Sequence, residues 1–147
     1  MNYYVDSSAL LKLYHQERGT ENVRAMYRGS DTICISELAR LELMSSAARQ
    51  RRSGHIDAVF FESLVARFSE DVRSRIRVFP FTPSVIANAY QFLVENHGAN
   101  TLATLDALQF SFYRENCTRD AVFVSADQRL IGIVRSHGYP VLNPEVS

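Results

Sequence analysis

A chain of 147 residues has the length of one ordinary domain, enough to bury a core without disulfides or a structural metal. Hydrophobic residues make up 46% and charged residues 22%, a globular balance that excludes disorder and fibrous repeats. With 16 basic and 16 acidic residues the formal net charge is zero, so overall charge gives no signal for nucleic acid.

Apolar residues alternate between short β-branched or aromatic runs and longer helical stretches, the rhythm of βαβ units around a mostly parallel sheet. The pattern predicts strands over 2–6, 32–35, 77–80, 121–125 and, on a weaker signal, 140–142, with helices in the gaps. Ser7 can cap the first helix, to about Gln16; a short second covers about 20–28; Ser36 can cap a third, to about Arg52. Gly54 breaks the chain before Asp57, which can cap a helix to about Val72. Thr82-Pro83 opens the next, with proline at the first helical position, where its missing N–H does no harm. It stops near His97-Gly98. Asn100-Thr101 starts a helix to about Asn116, and Ala126 begins the last, which ends at His137-Gly138. No repeat, low-complexity tract or linker interrupts residues 1–147, so one α/β domain is expected.

Two acids stand at strand-to-helix junctions. Asp6 ends Tyr3-Tyr4-Val5 and precedes Ser7-Ser8-Ala9, while Asp127 follows Val122-Phe123-Val124-Ser125-Ala126. In one parallel sheet both would open on the same side, where open α/β sheets place their ligands. Each also has a plainer reading as a helix-start residue, favoured by capping and by the macrodipole. Asp106 is the only charged residue from Leu102 to Tyr113 and shares its face with Leu102 and Phe110. Burying an ionised carboxylate alone is costly, so a cation, a donor or a metal should meet it. An Asp bonded to a backbone amide or to an arginine satisfies the same requirement. Glu37 falls in a first helical turn and complements the dipole. Glu42 lies further along, where it can point into the crevice or pair at the surface with Arg49 or Ser46.

Several chemistries are excluded. His15, His55, His97 and His137 show no HxxxH or Cys/His spacing, so zinc is unsupported. No GxGxxG, GxxxxGK[ST] or GxSxG is present. Carboxylates without imidazole or thiolate are the ligand set for Mg²⁺ or Mn²⁺, which points to phosphate chemistry. Lys12 is the only lysine, and arginines gather at Arg49, Arg51 and Arg52 and at Arg73, Arg75 and Arg77. The arginine fork suits phosphate, although such runs are also ordinary solvated helix faces. Cys34 and Cys117 form no CxxC pair and are expected to be buried and inert in a reducing compartment. No apolar stretch approaches the roughly 18 residues of a membrane span, and the amino terminus lacks a basic-then-apolar leader, so a cytoplasmic location is expected.

Tyr4-Val5-Asp6-Ser7-Ser8-Ala9-Leu10 resembles the opening motif of PIN-domain ribonucleases, specifically the VapC toxins of type II toxin–antitoxin pairs. Three further stretches match in order: Arg40-Leu41-Glu42, Thr104-Leu105-Asp106-Ala107-Leu108-Gln109, and Phe123-Val124-Ser125-Ala126-Asp127-Gln128-Arg129-Leu130. Together they span nearly the whole chain. Two positions depart from the family pattern: Ser7 stands where threonine is usual, and Gln109 where histidine is common.

The resemblance implies a three-layer α/β/α fold with about five strands and a catalytic metal site formed by Asp6, Glu42, Asp106 and Asp127. Asp6 and Asp106 would hold Mg²⁺ or Mn²⁺ most directly, with one or two ions. Ser8 would support Asp6, and Ser125 would lie at the pocket edge. Lys12, Arg49, Arg51 and Arg52 are candidates for holding the substrate backbone. The implied activity is hydrolysis of RNA phosphodiesters, restrained by a small VapB-like antitoxin, with self-association into dimers or larger complexes. Two alternatives are a PIN-like binding module without turnover and a phosphoryl-accepting α/β domain using Asp6. Against the second, Ser8 occupies the position where a haloacid-type phosphatase needs its second Asp.

Overall fold

Short runs of β-branched and aromatic residues form five parallel strands in the computed structural model, which describes residues 1–98 and 102–146. They are β1 (Asn2–Val5), β2 (Thr32–Ser36), β3 (Ile76–Phe79), β4 (Val122–Val124) and β5 (Val141–Leu142). The order β3-β2-β1-β4-β5 places β1 at the centre, with Tyr4 in register with Cys34 on one side and Phe123 on the other. The chain builds outward from β1 through β2 to β3, then returns to its other side with β4 and β5. That reversal makes the carboxyl ends of β1 and β4 the topological switch point, the place where open sheets bind ligands.

Seven helices are described: α1 (Ser7–Tyr14), α2 (Thr20–Arg28), α3 (Glu37–Arg52), α4 (Ala58–Ser74), α5 (Pro83–Glu95), α6 (Thr104–Asn116) and α7 (Gln128–Ser136). They cover both faces of the sheet, because strand residues alternate sides with period two. Val5, Ile33, Ile35, Ile76 and Val124 enter one core with Leu10, Leu43, Leu64 and Phe68. Tyr4, Cys34, Phe79 and Phe123 enter the other with Phe92, Phe110, Phe112 and Tyr113.

Most helix starts fall where the sequence places them. Ser36, Asp57 and Thr82 accept from the backbone N–H groups of Ala39, Phe60 and Val85 at 2.9, 2.7 and 3.1 Å. Several boundaries differ. Asp6 caps α1 through the Ala9 N–H, not Ser7, because Ser7 is already inside the first turn. α1 ends at Tyr14, short of Gln16, where His15 turns extended. Asp127 takes the cap of α7, so that helix begins at Gln128 and not at Ala126. The expected start at Asn100-Thr101 lies outside the described residues, but Leu102 and Ala103 are non-helical and α6 begins only at Thr104, with Ala103 at its N-cap.

The segment after β5 is tied back onto α1 and α2. Lys12 Nζ lies 2.6 Å from Glu145 Oε1 and 3.4 Å from Glu17 Oε2, with only 3% of its side chain exposed. Asn22 donates to the Pro144 carbonyl at 2.7 Å. Gly19 adopts φ +85°, and a Cβ there would lie 2.7 Å from that same carbonyl oxygen, so both the turn and the close approach require glycine. Lys12 is therefore a buried tether and not a surface contact for phosphate. Among the described residues no helix is long and apolar enough to cross a membrane. Cys34 and Cys117 are free thiols, the first buried and the second partly so. Burial pushes the Cys117 thiol up to about 12 and raises Cys34 as well, which keeps both protonated and unreactive.

Candidate functional site

The turn from β1 into α1 buries Asp6 to 4% exposure at the carboxyl end of the central strand. Both of its oxygens have donors. Oδ1 accepts from Ser8 Oγ at 2.7 Å and the Ala9 N–H at 3.0 Å, and Oδ2 accepts from Ser125 Oγ at 2.6 Å. Each serine oxygen itself accepts a backbone N–H, Ala126 to Ser8 at 2.9 Å and Asp127 to Ser125 at 3.0 Å. Those bonds direct both hydroxyl protons toward Asp6 and lock the β4–α7 junction against β1. Burial nevertheless dominates and raises the Asp6 carboxyl to about 6; the three donors oppose the rise and nearby Glu42 adds to it.

Glu42 enters from α3. Ser7 donates to its Oε2, which also receives Gln109 Nε2 at 3.5 Å, while its Oε1 is buried with no hydrogen-bond partner. Burial raises this carboxyl too, Ser7 and Gln109 oppose that, and Asp106 reinforces it. Glu42 thus pairs with neither Arg49 nor Ser46, because its side of α3 turns inward. Gln109 is held in turn by Tyr4 and Ser36, whose hydroxyls donate to its Oε1 at 2.5 and 3.2 Å. Glu37 pairs with Arg40 at 3.1 Å on the outer face.

Asp106 sits at the start of α6, where its Oδ2 accepts from the Ala103 N–H at 3.2 Å and from Arg129 at 2.7 Å. The two partners an isolated buried Asp could find, a backbone amide and an arginine, are both present. The same Arg129 nitrogen lies 3.9 Å from Asp127 Oδ2. Asp127 caps α7 by accepting from the Arg129 and Leu130 N–H groups at 2.9 and 3.2 Å. Glu42 is coupled by repulsion to Asp6 on one side and to Asp106 on the other, and Asp127 is joined to Asp106 through a guanidinium.

Among the described residues no group of three or more Asp, Glu, His or Cys side chains is gathered into a ready cation site. The chemistry of the donors nonetheless fits a hard divalent ion. Every candidate atom is a carboxylate oxygen. Glu42 Oε1, buried without a partner, is the atom most in need of one. Arg49, Arg51 and Arg52 occupy the last turn of α3, roughly 10–15 Å along the helix from Glu42, where they also complement the dipole. Sequence reasoning missed Arg129 and the supporting bonds of Ser7 and Gln109. Gln109 was within reach, since it lies one turn after Asp106 on the same face.

A PIN domain family model matches residues 3–134, a span that contains all four acids. Ribonuclease VapC47 of Mycobacterium tuberculosis (strain CDC 1551 / Oshkosh) is 30% identical over 146 residues, covering 96% of each protein. In fold the chain is similar to Mycobacterium tuberculosis VapC20, a sarcin-ricin loop cleaving toxin, with TM-score 0.69, 18% identity and 98% of each chain covered. It is also similar to VapBC2 of Rickettsia felis, solved bound to a fragment of its promoter DNA, with TM-score 0.68, 16% identity and coverage of 97% of this chain and 98% of that one. The ordered match of motifs and the parallel sheet agree with these similarities: the chain belongs to the PIN-domain family, among its VapC proteins.

Proposed function

We propose that this protein is an endoribonuclease toxin that hydrolyses RNA phosphodiester bonds with Mg²⁺ or Mn²⁺ and is held inactive by a cognate VapB-like antitoxin. What supports this reading is the electrostatic coupling of Glu42 to both Asp6 and Asp106, with a buried carboxylate oxygen of Glu42 left without a donor. PIN-domain nucleases generally use a divalent metal. Asp6, Asp106 and Glu42 are the residues that would hold it, with Asp127 at the rim. When bound, the ion supplies Lewis acidity and positive charge to the reacting phosphate.

The chain's own groups do the rest. Ser8 and Ser125 fix the orientation of Asp6 and stabilise its charged form. Glu42, whose carboxyl burial raises, would reach the ion through its unpartnered Oε1. Ser7 and Gln109 hold its other oxygen and so set the direction in which Oε1 points. Against Asp6 as a phosphoryl acceptor, Ser8 stands where a haloacid-type phosphatase needs its second Asp, and it is hydrogen-bonded to Asp6 itself.

A protein partner is supported by an exposed apolar stripe on α5. Ile86, Tyr90 and Val94 follow one another at turn spacing, 56, 69 and 48% exposed, on a surface that antitoxin or a second copy would cover. The test of the activity is cleavage of cellular RNA by purified protein with Mg²⁺ or Mn²⁺ against EDTA. Asp6→Asn and Asp106→Asn are expected to abolish metal-dependent cleavage with the fold retained. Full activity in either variant would overturn the role given to that residue.

A further inference from the structure

We propose that Arg129 is a built-in counter-ion which holds Asp106 and Asp127 in the metal-free protein and exchanges with the divalent cation when the site loads. The inference rests on the metal-dependent reading above and adds a residue to it. Its geometric basis is direct: one guanidinium nitrogen lies 2.7 Å from Asp106 Oδ2 and 3.9 Å from Asp127 Oδ2. A positive charge that bridges two acids from different helices does what a cation would do there. It also accounts for the lack of a ready cation site among the described residues, since the acids are arranged about an arginine.

The arrangement permits exchange. Arg129 is in the first turn of α7, and 45% of its side chain faces solvent, whereas the Asp106 side chain is only 12% exposed. The arginine can therefore swing out while the acid stays. Its ion pair with Asp106 is part-exposed, the kind whose net strength is small, so a divalent ion can compete for that carboxylate. Asp127 is anchored independently by its cap bonds to Arg129 and Leu130 N–H, which depend on the backbone and survive departure of the guanidinium. Asp106 likewise keeps its bond from the Ala103 N–H. The two acids thus remain placed when the arginine leaves, which an exchange requires.

Competition has a signature that mere structural support lacks: removing the competitor tightens metal binding while weakening the empty protein. The experiment is Mn²⁺ titration by calorimetry on the wild-type protein, Arg129→Gln and Arg129→Lys, with melting temperature measured in EDTA. Arg129→Gln is expected to bind Mn²⁺ roughly two- to fivefold more tightly, the span set by loss of a part-exposed ion pair. Its melting temperature in EDTA should fall below wild type, and Arg129→Lys should lie between the two in both readouts. Mn²⁺ affinity unchanged or weakened in Arg129→Gln, with wild type binding normally, overturns the exchange and leaves the nuclease reading intact. Absence of Mn²⁺ binding in all three proteins overturns the metal reading and the exchange together.

Discussion

Ser125 and Asp6 stand 119 residues apart in sequence, yet the serine hydroxyl donates to Asp6 Oδ2 at 2.6 Å and joins the ends of β1 and β4. The acceptor is ionised at neutral pH, so the bond is charge-assisted. Ser125→Ala is expected to destabilise the protein by about 1–3 kcal/mol at pH 7.5, because it strips a donor from a buried carboxylate. The loss should shrink at pH 5, below the value near 6 at which Asp6 takes a proton. Urea unfolding at the two pH values measures both; equal losses would show that the charged carboxylate is not what Ser125 stabilises.

Asp6 itself is held in the fold at the expense of stability. Its carboxyl is raised from 3.8 to about 6, so between those values the folded protein binds the proton more readily than the unfolded chain. The contribution of this group to stability therefore falls as pH rises through that window, reaching a penalty on the order of 3 kcal/mol above it. Asp6→Asn removes the charge and keeps an acceptor for a serine. In EDTA at pH 7.5 it should melt roughly 5 °C higher than wild type, with the advantage gone by pH 4. A melting temperature equal to or below wild type at pH 7.5 would contradict the burial penalty.

The contrast between these acids and Lys12 shows what a sequence carries. Asp6 and Asp127 were legible because a strand followed by a capped helix fixes where a junction residue points, and five parallel strands fix which junctions are neighbours. Asp106 was legible as one charge in an apolar helix. Lys12 was not: it was a candidate for phosphate until the chain returned Glu145 to its side, 133 residues later. The bond of Arg129 to Asp106 was hidden for the same reason, since it depends on how the starts of α6 and α7 face each other. Spacing reports the face of one element, and these pairings lie between elements. Ser7 was misassigned as a cap for a local reason, because the carboxylate one residue earlier reaches the Ala9 N–H.

Gln109 links the core to the site and gives a third expectation. Its Oε1 accepts from Tyr4 and Ser36, and its Nε2 reaches Glu42. Gln109→Leu leaves the fully buried Tyr4 hydroxyl without an acceptor and should destabilise by about 2–3 kcal/mol. Adding Tyr4→Phe removes the stranded group, so the double variant should be more stable than the sum of the single losses predicts. Strict additivity in urea unfolding would show that the Tyr4–Gln109 bond contributes nothing.

Lys12 and the arginines at the end of α3 are separated by the salt dependence of RNA binding, measured in EDTA so that the RNA stays intact. Each phosphate contact on a single strand contributes roughly 0.7 to the slope of log affinity against log salt. Replacing Arg49, Arg51 and Arg52 by Gln should flatten that slope by about 2 if all three touch phosphate. These residues are exposed and in the last turn of α3, so their removal leaves the core untouched. Lys12→Met should instead leave the slope unchanged and lower stability by about 1–2 kcal/mol, between the values for exposed and buried pairs, because it releases Glu17 and Glu145. A triple variant with the wild-type slope would show that these arginines make no phosphate contacts. A flattened slope in Lys12→Met would contradict its burial against Glu145 and return it to the substrate-binding surface.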